Sequence, residues 1–354
     1  MTLRPLVALC VLLVSLPLAA QWTNEAVTGP TPIRAVWHHP VERNDAEVDA
    51  VVARCKKGGI NRIYLETIYE GRACYPSKWY EPHADFKNFD ALRSYMVAGR
   101  KHGVTIDAWC HVFFVGFADS PFIRDHADWL ARDDKGRISS EFEIFEGKKY
   151  HFLCPASVEA RRHVLEGLKE AAAIADGLQV DYIRYPVSKE GQTYCHCARC
   201  AKDDDAAREA RIVSFVSEVR AALPKTRLSA SVFPNVADAR QSKRQNWPLF
   251  DVDEMALMAY VASPEAVAQA ARQAPWKKPL IMGLGPFMGL GDDVMVAQTR
   301  AAKEIGVAGI AYFALHSMPD SLVSRLRPVL MAETAPASRP TTPKPGPAPT
   351  TPTP

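Results

Sequence analysis

The sequence has almost no excess charge, since 43 Lys and Arg residues balance 40 Asp and Glu residues to a formal net charge of +3. Such a chain lacks the clustered positive charge that binds nucleic acid, so we expect no nucleic-acid partner. Long apolar runs are also scarce. Residues 6–16 form an apolar run, but it falls short of the about 20 residues that cross a bilayer. We therefore expect no integral membrane span after removal of the N-terminal segment.

Glycine is missing where a dinucleotide-binding fold would need it. An open doubly wound sheet normally has a glycine-rich turn after its first strand. Here the first strand-like run leads into Trp37-His38-His39-Pro40. This favours a closed barrel over an open sheet and predicts no nucleotide cofactor.

A recognisable metal-hydrolase signature is also missing. His38, His39 and His111 are the candidate ligands, but their spacing matches no such motif. We therefore predict no catalytic metal and no cofactor. A metal-dependent hydrolase, with these three histidines around an ion, is kept as the least favoured alternative.

Both ends of the chain differ from the middle in composition. Residues 1–20 combine Arg4, the apolar run and a small-residue ending at Ala20, as in a secretory signal peptide. An uncleaved anchor is the alternative. Residues 21–31 are predicted to be a linker. Residues 332–354 are rich in Pro and Thr, which predicts a disordered tail. We therefore expect a secreted or periplasmic protein.

Between residues 32 and 331 the sequence alternates apolar runs with amphipathic stretches, which predicts eight strands and intervening helices. Strands that are apolar throughout and joined by helices form parallel sheets with both faces covered. Eight such units in about 300 residues fit one domain, a (β/α)₈ TIM barrel of the α/β class. Catalytic groups of such barrels lie at the carboxyl ends of the strands.

The predicted strand ends combine aromatic rings with polar groups. Sugars present flat C–H faces that stack on aromatic rings and hydroxyls that bond polar side chains. A polysaccharide or glycan substrate is therefore the predicted partner. The residues expected to bind it are Trp37, His38, Trp109, His111, Gln179, Arg184 and Tyr260.

The most informative residue is Asp181, a carboxylate inside the apolar fourth strand of the segment DGLQVDYIRYP, residues 176–186. Burying a lone carboxylate costs several kcal/mol, so its presence needs a reason. Alternation places Gln179 on the same side as Asp181, and Arg184 could pair with Asp181 and keep it ionised. We expect Asp181 to act as a nucleophile or to stabilise an oxocarbenium-like transition state. A structural Asp–Arg pair is the alternative.

Glycoside hydrolysis also needs a second carboxyl group. Glu66 and Asp107 are the leading candidates because each is expected to face the barrel interior from a neighbouring strand. Glu70 and Asp238 are further candidates. The sequence leaves the choice between them open.

Cysteines form a tight group after the fourth strand, in the C-x-C-x-x-C pattern of Cys195, Cys197 and Cys200. Disulfides are the usual outcome in an oxidising compartment. The three thiols, with His196 or a distant fourth ligand, could instead hold a structural zinc ion. We expect a structural clamp of one kind or the other, with no catalytic role.

The span 32–331 resembles the glycosyl hydrolase-like (β/α)₈-barrel family of bacterial envelope proteins, some of which act on peptidoglycan glycan strands. The matching segments are IRAVW at 33–37, GINRIYLETIYEGRACYPSKW at 59–79, HGVTIDAWCHVFF at 102–114, HADWLARDDKGR at 126–137, FLCPASVEARRHV at 152–164, DGLQVDYIRYP at 176–186 and DVDEMALMAY at 251–260. The segment at 176–186 is the most specific.

The resemblance implies a glycosidase with Asp181 as the key carboxylate. One departure is that the family's second loop is closer to Arg-Pro-Glu-Gly, whereas this chain has Ile68-Tyr69-Glu70-Gly71. The predicted function is thus hydrolysis of an envelope or extracellular polysaccharide. A carbohydrate-binding barrel without catalysis is the main alternative.

Overall fold

The computed structural model describes residues 32–118 and 120–332, and within them a closed barrel of eight parallel strands forms the centre. Each strand pairs with the next along the chain, and the first strand pairs with both the second and the last. The strands, here β1 to β8, are Ile33–His38, Arg62–Tyr69, Thr105–His111, Gly177–Asp181, Leu228–Val232, Glu254–Met258, Leu280–Leu284 and Gly309–Tyr312.

Helices surround the barrel and connect its strands. In the described part of the chain they are α1 to α9: Asp45–Lys57, Ala91–His102, Pro121–Asp125, Val158–Ala172, Asp205–Ala222, Val236–Lys243, Pro264–Gln273, Asp292–Glu304 and Asp320–Met331. Seven of them lie in the positions expected from the amphipathic stretches, while α3 and α6 were not predicted. The (β/α)₈ prediction is confirmed.

Local sequence determines where several helices begin. Asn44, Asp90, Ser157, Asp204 and Ser263 each accept a hydrogen bond from a backbone N–H three residues later. Such N-caps satisfy donors that have no partner within the helix, and each contributes about 1 kcal/mol. The starts of these five helices are therefore encoded by single polar side chains.

Apolar side chains form two separate cores. The larger lies between the barrel and the helices. The smaller fills the barrel interior and includes Trp37, Tyr64, Trp109 and Ile281, all at most 2% exposed. The filled interior makes the barrel a solid support rather than a channel. Any substrate must therefore bind above this core.

A two-stranded hairpin that was not predicted from the sequence is inserted between β3 and β4. Its antiparallel strands are Ser139–Phe145 and Lys148–His151. The turn residues Glu146 and Gly147 have φ values of 48° and 77°, as a tight two-residue hairpin turn requires. Glu-Gly is a weaker turn signal than Asn-Gly or Asp-Gly, which explains why it was missed.

The predictions for residues 1–20, 21–31 and 332–354 fall on residues that, apart from Ala332, lie outside the described part of the chain. Across the residues that are described, no helix is long and apolar enough to cross a membrane.

Candidate active site

A cavity of 1040 Å³ opens at the carboxyl ends of the barrel strands. This is where catalytic residues of (β/α)₈ barrels are found. Four carboxyl groups line the cavity: Glu66, Glu70, Asp181 and Asp238. The other polar side chains on its wall are His39, His111, Arg184, Asn235 and His316.

Asp181 is the last residue of β4 and is 8% exposed. Its Oδ2 accepts a hydrogen bond from the indole Nε1 of Trp109 at 3.0 Å, and its Oδ1 accepts one from the backbone N–H of Tyr182 at 2.6 Å. Burial raises the pKa of Asp181, while His111 and these two donors oppose the rise. Both partners can only donate, so they hold the carboxyl oriented and favour its ionised form.

Two residues of the cavity wall have left-handed backbone conformations that side chains other than glycine rarely adopt. Tyr182, directly after Asp181, has φ of 52°, and Glu70, directly after β2, has φ of 50°. Such conformations cost on the order of 1 kcal/mol or more and occur most often at functional sites. Here they turn the chain sharply just past two strands whose ends carry carboxylates.

Glu66 lies between two histidines. His39 Nδ1 is 2.7 Å from Glu66 Oε2, and His111 Nε2 is 3.2 Å from Glu66 Oε1. Burial by itself would raise the pKa of Glu66, but His111 and His39 lower it to about 2. In return, Glu66 raises the pKa of His39 against the effect of burial. Glu66 is therefore ionised at neutral pH and acts as a hydrogen-bond acceptor there.

Glu70 and Asp238 have opposite electrostatic environments. Burial, and then the charge of Glu66, raise the pKa of Glu70. Burial by itself would raise the pKa of Asp238. The ammonium of Lys243, whose Nζ lies 2.8 Å from Asp238 Oδ2, instead lowers that pKa below its ordinary value. A raised pKa suits a proton donor, so Glu70 has the environment of a general acid and Asp238 does not.

Arg184 pairs with Glu143, and not with Asp181 as the sequence suggested. Arg184 Nη2 donates to Glu143 Oε1 at 2.7 Å, and Glu143 Oε2 also accepts from the backbone N–H of Val187 at 2.8 Å. The guanidinium stacks near Phe152 and Tyr182, within 4.9 and 5.1 Å of the ring centroids. Glu143 belongs to the hairpin, so this pair fastens the hairpin to the loop after β4.

Aromatic rings make up much of the remaining wall. Phe313 lies at the centre, with its centroid 6.0 Å from Trp37, 5.9 Å from Trp109 and 5.7 Å from Tyr260. Two further rings on the wall, Phe145 and Phe287, are 55% and 50% exposed. Exposed rings at the rim of a cavity that also holds carboxylates are surfaces on which a sugar face can stack.

Several predicted site residues meet in the cavity. Asp181, Glu66, Trp37, Trp109, His111, Arg184 and Tyr260 all line it. The prediction that Asp181 faces the mouth of the barrel agrees with this geometry. Gln179 faces the same side but lies one layer deeper, where its Oε1 accepts a hydrogen bond from Trp37 Nε1 at 2.5 Å. Gln179 thus supports the floor of the cavity.

Asp107 and His38 lie away from the cavity. Asp107 is near the beginning of β3, where it bonds Arg227 and lies 3.6 Å from Arg62 Nε. The side chain of Asp107 points into the barrel as expected. Alternate residues of a strand follow one another along the barrel axis, so Asp107 lies two inward-facing positions below His111 and does not reach the cavity. His38 points outward and bonds Tyr95 and Glu42 through Nε2 at 2.7 and 3.1 Å.

The positions of the histidines also bear on the metal alternative. His38 is directed into the helix layer, whereas His39 and His111 face the cavity on either side of Glu66. The three histidines are therefore not brought together, and the arrangement on which that alternative depended is not formed.

Four cysteines meet beside the loop after β4. Cys154 joins Cys195, Cys197 and Cys200, and their sulfur atoms all lie within 4.8 Å of one another. All four are buried and none is in a disulfide. His196, the suggested fourth partner, instead bonds Thr193 Oγ1 at 2.8 Å. Cys154 is distant in sequence, so spacing alone could not identify it.

Sequence reasoning missed two aromatic residues of the cavity wall, Phe145 and Phe313, and also Glu143, the partner of Arg184. Glu143 and Phe145 lie in the hairpin, whose alternating pattern at residues 139–145 was a usable signal. Phe313 follows β8 directly, so including the aromatic residues beside that strand end would have identified it.

Fold and cavity together define a (β/α)₈ barrel whose mouth combines carboxylates with aromatic rings. Residues 110–262 match the model of a family described as "Putative glycosyl hydrolase domain". The matched range includes Asp181 and Arg184. The resemblance to a glycosyl hydrolase barrel family is thereby confirmed over residues 110–262. A sequence comparison with curated proteins gave no match.

Solved structures with a similar fold include several glycosidases. α-L-Fucosidase isoenzyme 2 from Paenibacillus thiaminolyticus has a TM-score of 0.61 at 16% identity, over 84% of this chain and 49% of that one. An α-galactosidase from Thermus thermophilus has a TM-score of 0.56 at 14% identity, over 85% and 62%. An α-galactosidase from Geobacillus stearothermophilus has 0.56 at 11%, over 84% and 40%. This chain thus spans between 40% and 62% of the length of these enzymes, and the likeness establishes the fold.

Proposed function

We propose that this protein is a glycoside hydrolase that cleaves a cell-envelope or extracellular polysaccharide. The observation that carries the proposal is the Asp181 carboxyl, which faces the cavity while held by two N–H donors. The glycosyl hydrolase family match over residues 110–262 and the fold shared with fucosidases and galactosidases support it.

Glycosidic bond cleavage needs one carboxylate near the anomeric carbon and one carboxylic acid near the leaving oxygen. We assign the first role to Asp181. As positive charge develops on the sugar ring, an oriented and largely desolvated carboxylate stabilises it more strongly than the same group in water. Trp109 and Tyr182 fix the direction of the carboxyl before substrate arrives, so little reorganisation is needed during the reaction.

We assign the acid role to Glu70. Its raised pKa keeps a larger fraction protonated near neutral pH than an ordinary glutamate. Glu66 is unsuited to donate a proton because His111 and His39 lower its pKa to about 2, although its burial opposes them. Glu66 instead contributes to the raised pKa of Glu70 through like-charge repulsion, the second cause of that shift after burial.

The composition of the cavity wall favours a glycan over a small acid or a nucleotide as the substrate. Tyr260 and Phe313 offer flat faces, while His39 and Arg184 can bond hydroxyl groups. Its volume of 1040 Å³ is slightly larger than the about 300–1,000 Å³ of typical ligand pockets. This leaves room for more than one sugar ring, in keeping with a polysaccharide substrate.

We further propose that the protein acts outside the cytoplasm. The composition of residues 1–20, with one early arginine, an apolar run and small residues before Gln21, supports a secretory signal. Secreted or periplasmic localisation would bring the enzyme to its proposed substrate. Fractionation of cells that express the full chain would test this separately from activity.

The central test is a glycan-release assay on the purified protein, with peptidoglycan and plant or algal polysaccharides compared side by side. We expect reducing ends to appear with at least one substrate and Asp181→Asn to abolish them. Thermal unfolding must show that the variant still folds. Glycan binding without release by the wild-type protein would overturn the catalytic proposal and favour the binding barrel.

A further inference from the structure

The four-cysteine cluster has no part in the proposed sugar chemistry, so it needs a separate explanation. Its members, Cys154, Cys195, Cys197 and Cys200, are at most 6% exposed. Cys154 comes from the segment that follows the hairpin, whereas the other three come from the loop between β4 and α5. The cluster therefore joins two long insertions at the carboxyl end of the barrel.

We propose that Cys154, Cys195, Cys197 and Cys200 bind one structural zinc ion as a tetrahedral four-thiolate site. Zinc binds cysteine sulfur at about 2.3 Å, and a tetrahedron of that radius separates its corners by roughly 3.8 Å. Cys154 Sγ lies 3.5 Å from both Cys197 Sγ and Cys200 Sγ, and all four sulfurs lie within 4.8 Å of one another.

Two disulfides would need a different arrangement. A disulfide holds its sulfurs at about 2.05 Å and joins them in pairs. Here Cys154 is equally distant from Cys197 and Cys200, so the sulfurs form a cluster in place of pairs. A free buried cysteine packs like any small apolar side chain, so packing alone does not require four thiols to lie together. An ion bound by all four would account for the cluster.

The surroundings also suit a negatively charged metal–thiolate centre. The backbone N–H of Arg132 points to Cys195 Sγ at 3.4 Å. Arg208 Nη2 donates to the carbonyl oxygen of Cys195 at 3.1 Å. Groups of this kind orient the ligands and offset the charge of thiolates around zinc.

The position of the ion explains what it would stabilise. Cys154 follows the hairpin strand Lys148–His151 by three residues, and Tyr194, next to Cys195, donates its hydroxyl to the carbonyl oxygen of Ser139 at 2.7 Å. The same hairpin carries Glu143, the partner of Arg184. Zinc at this point would hold the hairpin against the loop after β4 and thereby fix one wall of the cavity.

The test uses the purified full chain, and its first readout is metal content by elemental analysis. We expect about one zinc per chain, with the four thiols protected from alkylation until a chelator is added. Cys197→Ala should lose the zinc and unfold at lower temperature than the wild-type protein. Cys55→Ala is the matched control, because Cys55 is an equally buried cysteine on α1 outside the cluster, and it should keep the zinc.

Three results would overturn the proposal: disulfide-linked peptides from the cluster, iron in place of zinc, or a metal-free protein whose four thiols are alkylated at once. If Cys197→Ala fails to fold, metal content and thiol protection of the wild-type chain still decide the question. Because these readouts do not involve sugar cleavage, failure of the glycosidase proposal would leave them unaffected.

Discussion

Trp109 donates its indole N–H to Asp181 across 3.0 Å, from the middle of the barrel core to the floor of the cavity. Trp109 lies on β3 and Asp181 lies on the neighbouring strand β4. In the register of these two strands, His111 is aligned with Asp181 and Trp109 with Gln179. The indole is therefore diagonal to the carboxylate and reaches upward to it. A core residue that packs the barrel thus also orients the proposed catalytic group.

Removing this donor is expected to change the pH dependence of catalysis. Because the Trp109 hydrogen bond favours the carboxylate, Trp109→Phe should raise the pKa of Asp181 further. Activity that needs ionised Asp181 rises as pH increases through that pKa, so the acidic limb of the kcat/KM profile should move to higher pH. Trp37→Phe is the matched control, because the Trp37 indole bonds Gln179. An unshifted acidic limb in Trp109→Phe would show that the indole does not act on Asp181.

Glu70→Gln should reduce kcat by about 10²–10⁴-fold on natural glycans, the usual contribution of a general acid. Activity should fall in the wild-type protein as pH increases through the pKa of Glu70, and this basic limb should disappear in the variant. Aryl glycosides with acidic leaving groups need little protonation, so they should be cleaved almost normally. Asp238→Asn is the control within the same cavity, and it should reduce kcat by less than about tenfold. A larger loss in Asp238→Asn than in Glu70→Gln would transfer the acid role to Asp238.

The exposed rings at the cavity rim should contribute to substrate affinity. Phe287 and Phe145 are both about half exposed and line the cavity. An aromatic stacking contact is worth about 0.5–1.5 kcal/mol, so Phe287→Ala and Phe145→Ala should each raise KM roughly 2- to 13-fold with kcat little changed. Ile144→Ala, at a residue 52% exposed on the same hairpin, is the control. Equal effects of Ile144→Ala and Phe145→Ala, which both lie on the hairpin strand Ser139–Phe145, would point to the hairpin's stability instead of stacking.

Acid should destabilise the fold partly through Glu42. Burial tends to raise the pKa of Glu42, but hydrogen bonds and charge from His38, followed by Tyr95, lower it to about 2, compared with 4.5 for an ordinary glutamate. A depressed folded-state pKa contributes stability that is present above the unfolded value and lost as pH falls to about 2. The shift corresponds to up to about 3 kcal/mol.

Urea unfolding at a series of pH values measures this contribution. In Glu42→Gln the loss of stability between about pH 5 and pH 2 should be smaller than in the wild-type protein by up to about 3 kcal/mol. Tyr95→Phe, which removes one of the donors to Glu42, should give an intermediate result. If the free energy of unfolding depended on pH identically in the wild-type protein and in Glu42→Gln, the lowered pKa of Glu42 would be contradicted.

Secondary structure and barrel topology could be predicted from sequence because they depend on local, repetitive signals. Apolar runs such as Leu280–Leu284 and capping residues such as Ser157 depend on the residues next to them in the sequence. Alternation along β4 was sufficient to place Asp181 and Gln179 on the inner side. The hairpin at 139–151 was missed because its Glu-Gly turn is a weak local signal.

Depth within the barrel and pairing between distant segments were decided only by the tertiary structure. Asp107 and His111 point inward from one strand, yet Asp107 pairs with arginines near the strand's beginning and His111 lines the cavity. Arg184 forms its ion pair with Glu143, and Cys154 lies beside cysteines that are more than 40 residues away in the sequence. A one-dimensional pattern gives the direction of a side chain, but it does not give the partner that the closed ring of strands brings within reach.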